Sequence, residues 1–477
     1  MPYRLHRSLA AVLVAAALAG CGAGPEDQRP ALDVPGGWKA EGPAGTSWPE
    51  TTWWHSFGSP QLDALIRTAQ QNNQDIGAAA ARVLQADAQA RIAGAPLLPT
   101  VEGSGGASHS VSPETRSSTF SGGSVSRRSI SDQYSAQLAV SYELDLWGKN
   151  RAALQSAEAS ALASRYDRDT VALTVTSGAA TTYIQILELQ DRLAIARDNL
   201  ANAQQVLAVV QARVTAGAAS ALDLAQQRTV VAQQKSAIPP LEQQRQQSET
   251  ALALLLGEPP ERLSLARQSL DDLKIPVVAA GLPSSLLDRR PDIQNADAQL
   301  AASRANVKEA RAALFPSIQL TGQGGFQSAA LGTLFNSAST LYSLAASLTQ
   351  PIFEGGSLRG AIQLTQAQYQ ELAQTYVKTV LAAFGDVENA LIALRQSGLL
   401  YQAQQEVLAQ SREAFRLSDA QYRAGAVDLL TVLTAQQSYF SARDQLVQAK
   451  SDRLQAVVAL YKALGGGWSV GSVKAGS

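Results

Sequence analysis

Between Ile186 and Val214 apolar residues recur every seven positions: Ile186, Leu193, Leu200, Leu207 and Val214. Leu189, Ala196, Ala203 and Val210 follow each by three. A sustained a/d pattern of this kind is the seam of a coiled coil. The stretch around it, Trp147 to Val214, has helical periodicity throughout and predicts one helix about 100 Å long at 1.5 Å per residue. The pattern returns 208 residues later as Leu394, Tyr401, Leu408, Phe415 and Tyr422, inside a second predicted helix from Gly355 to Tyr422. A rod of this length, built twice in one chain, spans a distance rather than enclosing a small-molecule pocket.

Elsewhere the period changes to two. After Pro99, Val101, Gly103, Gly105 and Ala107 alternate with polar positions, and Tyr134, Ala136, Leu138, Val140 and Tyr142 do the same. A Ser- and Gly-rich stretch separates them, so the pair predicts a hairpin. Ile318 to Phe326 and Tyr342 to Leu348 repeat it. Asp75-Ile76 and Pro99 recur 217 residues on as Asp292-Ile293 and Pro316, whereas Gly148, Gly217 and Gly257 recur 208 on as Gly356, Gly425 and Gly465. The nine-residue difference falls in the hairpin loop, as expected for an internal duplication.

Residues 53–257 therefore form a first repeat, with helices over 60–94 and 147–256 and strands over 99–145. Residues 283–465 form a second, with helices over 284–312 and 356–464 and strands over 316–354. Residues 258–282 connect them, and 466–477 form a tail. Trp53, Trp54 and Phe57 dock the start of the first repeat, and Pro60 opens a short helix burying Leu62, Leu65 and Ile66. Gly217 ends the first long helix, Ser220 caps the return helix, and Pro239-Pro240 interrupts it.

Four strands of about ten residues have the length to cross a bilayer when tilted. Four cannot close, and lipid does not tolerate an open sheet edge. Two copies would give eight strands and a filled interior; three would give twelve and a lumen. In each half the two shorter helices together match the long one. A barrel would thus continue as a helical tube, with the Gly217 and Gly425 turns at its far end.

Composition places these parts. Arg4 and Arg7 precede the apolar run Leu9 to Leu18, which is short for a transmembrane span, and Leu18-Ala19-Gly20-Cys21 follows. Residues 1–20 read as a bacterial lipoprotein signal and Cys21, the sole cysteine, as the lipidated residue. Gly22 is consistent with delivery to the outer membrane. Residues 21–52, rich in Gly and Pro, read as an extended tether. The formal net charge of −1 gives no reason to expect a nucleic-acid partner. His6, His55 and His109 are scattered and lack metal-site spacing. No nucleophile constellation or phosphate loop is present, and Gly103-Ser104-Gly105 is no nucleophile elbow because no helix follows it. Asp288-Arg289-Arg290-Pro291-Asp292 reads as a helix start rather than a phosphate site. Neither catalysis nor a cofactor is expected.

Together these residues resemble the TolC/OprM outer-membrane efflux protein family, in its lipoprotein branch. The carriers are Cys21, Trp53-Trp54 with Phe57, Tyr142-Glu143-Leu144-Asp145-Leu146-Trp147-Gly148, Arg289 to Ile293, Phe315-Pro316-Ser317 and Pro351 to Gly356, with Tyr422 to Gly425 and Tyr461 to Trp468. The resemblance implies a mainly α chain with a transmembrane β part, assembled as a homotrimer with a twelve-stranded barrel and a periplasmic α-helical barrel. It implies a periplasmic adaptor and an inner-membrane transporter of the resistance-nodulation-division class as partners. It also implies an entrance closed by the hairpin tips: Leu430 as a hydrophobic ring, Tyr422 and Arg423 holding the tip helices, and a constriction at Leu222, Asp223, Asp428, Thr431 and Thr434. Many members carry a carboxylate at the position of Thr431 or Thr434. The threonines here put a cation-binding gate, and pairing of Arg423 with an Asp of its own hairpin, in doubt. A channel for type I protein secretion, a narrow-substrate exporter and a periplasmic adaptor are the alternative expectations.

Overall fold

A computed structural model describes residues 30–40, 48–113, 115–116, 125–126 and 128–468. Cys21 and the signal segment lie outside the described residues. Two helices of 67 residues dominate: α3, Lys149–Thr215, and α7, Ser357–Arg423. Each rises about 100 Å. Each starts after a glycine in the left-handed region, Gly148 at φ 76° and Gly356 at φ 89°.

Shorter helices line these rods. In the first repeat α1, Pro60–Asn72, and α2, Gln74–Gly94, precede the strands, and α4, Ala221–Ser236, and α5, Ile238–Leu255, return from the tip. Pro239 and Pro240 fall in the first turn of α5, so the break sits just before them, at Ala237. In the second repeat α6, Pro291–Ala312, precedes the strands and α8, Leu429–Ala463, returns. α2 and α4–α5 both pack along α3; α6 and α8 both pack along α7 and also touch α3. The wall is thus continuous across the two repeats, with α3 in its middle.

Four strands form one antiparallel sheet in the order β1, Thr100–Ser112; β2, Ser129–Glu143; β3, Ser317–Ser328; β4, Thr340–Thr349, and a separate two-residue ladder, Thr115–Arg116 with Val125–Ser126, lies in the first hairpin beyond them. The register fixes two faces. Val101↔Val140, Gly103↔Leu138, Tyr142↔Leu320, Gly322↔Leu344 and Ile318↔Leu348 put the apolar residues on one side. Ser104↔Gln137, Ser141↔Thr321 and Gln323↔Ser343 put the polar ones on the other. On that polar side Gln319 Nε2 donates to Ser141 Oγ at 2.8 Å, and Gln323 to Gln137. Among the described residues β1 and β4 each have one partner strand, leaving two open edges. At the root of the sheet Trp147 donates to the Pro316 carbonyl at 2.7 Å and stacks on Phe315, locking strands to helices.

The largest core lies about halfway along the rods. Trp53, Phe57, Leu62, Ile66, Tyr183, Leu286, Val380, Leu454 and Tyr461 are buried there, with Trp53 stacked on Tyr461 at 4.8 Å. The expected docking by Trp53, Trp54 and Phe57 is present and extends further up the chain. Leu32, Val34, Trp38 and Trp48 also pack on this core, and Trp38 donates to the Gly281 carbonyl at 2.9 Å. The described part of the tether is therefore laid onto the body. Packing of the Trp38 and Trp48 rings against the core offsets the entropy a Gly- and Pro-rich segment would keep if free.

The connector is tied down in the same collar. Asp191 of α3 accepts from the Leu270 backbone at 2.9 Å and from Ser269 Oγ at 3.0 Å. Arg290, just before α6, grips Asp292, Asp386 and the Ala463 carbonyl. Pro291 opens α6, so the Arg-Arg-Pro-Asp stretch is a helix start.

Candidate functional site: the two faces of the sheet and the far tips

At the far end both hairpins turn the same way. The Ala218 N–H bonds the Arg213 carbonyl at 2.8 Å and the Ala426 N–H the Gln421 carbonyl at 2.9 Å, each around a left-handed glycine, Gly217 at φ 74° and Gly425 at φ 78°. These are Schellman closures, which glycine favours because it has no Cβ.

The carboxylates follow. In the first copy Ser220 Oγ accepts from the Asp223 N–H at 3.1 Å while Asp223 accepts from the Ser220 N–H at 2.8 Å, a reciprocal capping box. In the second copy Asp428 stands at the Ser220 position and Thr431 at the Asp223 position. Asp428 Oδ1 accepts from Thr431 N–H at 2.9 Å and from Thr431 Oγ1 at 2.6 Å. Those two bonds, the hydroxyl's first, hold the Asp428 carboxyl below its usual range. The acid has moved from the third helical position to the cap, and in both copies it bonds the helix start. Thr434 bonds back to the Leu430 carbonyl at 2.9 Å.

One residue before Asp223 and Thr431 the copies agree. Leu222 and Leu430 are equivalent under the 208-residue offset, and they are 64% and 62% exposed. Both side chains are mostly open to solvent in the single protomer.

Tyr422 is buried against Val206, Val210, Leu429 and Val432, in a cluster that joins α3, α7 and α8. Burial raises its phenol above the usual range, with the Arg213 guanidinium opposing the shift. Arg423 pairs with Asp419 one turn back on its own helix, at 2.8 Å. The cross-repeat contact comes from Arg213 of α3, which sits 4.5 Å from the Tyr422 ring centroid and donates to the Tyr422 carbonyl. Farther from the tip Arg192 holds Asp444 of α8 through two bonds, 2.7 and 3.2 Å, and Arg443 reaches Asn199 and Asp198 at 3.0 Å.

Sequence reading missed Arg213 and Arg192, although a signal was there. Each immediately precedes an a position, three heptads apart, where coiled coils place the charges that choose partners.

A sheet with one apolar and one polar face, rooted in a wall of helices about 100 Å long, defines a class: a channel segment that crosses a membrane and continues beyond it. Among the described residues no helix is long and apolar enough to cross a membrane. The chain matches the outer membrane efflux protein family over residues 65–258 and 282–466, and it belongs to that family. Between the two matched segments lies the connector. The chain is 45% identical over 465 residues to the pyoverdine export outer membrane protein OpmQ of Pseudomonas aeruginosa, covering 97% of each. It is 35% identical to the toluene efflux pump outer membrane protein TtgI of Pseudomonas putida, over 95% of this chain and 97% of that one. The outer-membrane channel OprN superposes with a TM-score of 0.87 at 28% identity, over 94% of this chain and 99% of that one. The MtrE outer membrane channel of Neisseria gonorrhoeae, in its open state, gives 0.84 at 30% identity, over 93% and 98%. The protein is an outer-membrane efflux channel with a periplasmic helical extension.

Proposed function

We propose that three copies close the sheet into a twelve-stranded barrel and the helices into a tube, forming the exit duct of a tripartite pump. The carrying observation is the pair of open edges on β1 and β4 between an apolar and a polar face. An edge unpaired in lipid leaves several backbone groups unsatisfied, at several kcal/mol each, so the edges must meet a further copy. A periplasmic adaptor and an inner-membrane transporter complete the pump, and acylated Cys21 anchors the chain beside its barrel. Leu222 and Leu430 from three copies would ring the periplasmic entrance, held shut by the Arg213–Tyr422 and Arg192–Asp444 contacts.

The cargo is a small molecule. Identities of 45% and 46% to pyoverdine export proteins, against 35% to the solvent and toluene pumps, favour a narrow range of secreted chelator-like molecules over general solvent export. The test is deletion of the gene with its neighbours left intact. Loss of an iron-chelating product from the medium, restored by the wild-type chain, supports the narrow reading. Raised accumulation of a hydrophobic dye with chelator unchanged supports general efflux instead. No change in either removes the exit-duct reading.

A further inference from the structure

The apolar face of the sheet does not stop at its strands. Tyr134 and Tyr142 sit eight residues apart on that face, about 27 Å of strand, and bracket the rows from Ala136 to Val140; a single apolar row, Val111 opposite Ile130, lies farther out. Tyrosines at this spacing mark the two water–lipid boundaries. One row beyond Tyr134, away from the helices, His109 Nδ1 and Asp132 Oδ1 form a 2.6 Å pair on the same face. A pair of this polarity belongs at headgroup level, not among acyl chains.

The loop joining β3 to β4 leaves the sheet at this height, since Ser328 pairs with Tyr134. It then folds back. Phe335 meets Phe326 edge-on, ring centroids 5.5 Å apart, and Phe326 lies on the apolar face opposite Ala136, one row inside Tyr134. Phe335 nevertheless stays 72% exposed, and Leu331 65%. The loop holds them out: Leu334 is buried beneath, Ser328 Oγ bonds Thr333 Oγ1 at 2.6 Å, and Ser339 Oγ bonds the Thr333 carbonyl at 2.8 Å. An exposed phenylalanine in water is unfavourable, by about 25 cal/mol per Å² of apolar surface. Placed against lipid it extends the band.

We propose that the 329–339 loop is an anchor in the outer leaflet, with Phe335 inserted among the lipids at the acyl–headgroup boundary, rather than a cover over the pore mouth. The proposal rests on the barrel reading. It gives the second hairpin a fixed depth in the membrane independent of the lipid on Cys21.

The experiment spin-labels Phe335→Cys in protein reconstituted into phosphatidylethanolamine–phosphatidylglycerol vesicles, with wild-type protein labelled in parallel to set the background from Cys21. Collision with oxygen, which concentrates in lipid, is compared with collision with a water-soluble nickel chelate. Leu344→Cys on the apolar face and Ser343→Cys on the polar face calibrate the two extremes. The proposal predicts an oxygen-to-nickel ratio at Phe335→Cys matching Leu344→Cys. A ratio matching Ser343→Cys would overturn it, because the loop would then stand in water. Poor access to both reagents would overturn it too, because a neighbouring copy would cover the ring. If Leu344→Cys itself collided with nickel as Ser343→Cys does, the barrel reading would fail along with the proposal that depends on it.

Discussion

Arg213 and Tyr422 lie on different repeats, 209 residues apart, and the guanidinium of one sits 4.5 Å above the ring centroid of the other. The contact ties the two hairpin tips of a protomer at two points, ring face and backbone carbonyl. Cation–π contacts contribute about 0.5–2 kcal/mol, enough to bias a tip that moves between two positions by roughly two- to thirtyfold. Arg213→Ala should therefore raise the open fraction of single channels in a planar bilayer. An unchanged open fraction would make Arg213 a packing residue only.

Leu222 and Leu430 project from equivalent positions and are mostly exposed in the single chain. If both line the constriction, Leu430→Ala should increase single-channel conductance and Leu222→Ala with Leu430→Ala should increase it further. Identical currents in wild type and the double variant would take both residues out of the gate. Asp428→Asn and Asp223→Asn should change helix-start stability more than ion selectivity, because both carboxylates already accept backbone N–H groups.

Asp191 gives a pH dependence. Its burial raises the carboxyl above its ordinary value, against the hydrogen bonds from Leu270 and Ser269, which lower it. The folded protein therefore holds this proton to higher pH than the unfolded chain. The stability this contributes is complete below the unfolded value and is lost as pH rises through the folded one. Asp191→Asn keeps an oxygen for both donors and removes the ionisation. Its apparent melting temperature should fall less than the wild type's between pH 4 and pH 7. An equal fall in both proteins would place the titration elsewhere.

The duplication reaches atomic contacts. A Cβ on Gly257 would lie 2.2 Å from the Asn72 carbonyl oxygen, and one on Gly465 would lie 2.2 Å from that of Arg289. Asn72 and Arg289 are themselves equivalent under the 217-residue offset. Both glycines have positive φ, 70° and 84°, so a side chain adds strain to the collision. Gly257→Ala and Gly465→Ala should each destabilise the assembly by on the order of 2 kcal/mol or more, read as a drop of several degrees in melting temperature. Gly217→Ala, with open space around it, should cost about 1 kcal/mol.

Periodicity carried most of the architecture. A heptad seam and a two-residue alternation are global signals, and their repetition marks both long helices, the four strands of the large sheet and the two turns. The collar was not legible, because the segments that build it have no period. Leu270 and Val278 are buried by contact with elements distant in sequence, and nothing local marks them. At the tip the aligned positions were legible but their partners were not. Arg423 was the expected tie, yet Asp419 lies within reach one helical turn back, and the cross-repeat contact fell to Arg213. Side-chain pairing between packed helices depends on their relative rotation, which a seam fixes only after both helices are placed.

The central claim is that this chain is one third of a closed pore. Native mass measurement of the protein extracted from outer membranes in mild detergent tests it most directly. The account predicts an assembly of three chains that survives extraction and falls to monomers on heating. A stable monomer, or a dimer, would contradict it, because neither gives the open edges of β1 and β4 a closed barrel with a lumen.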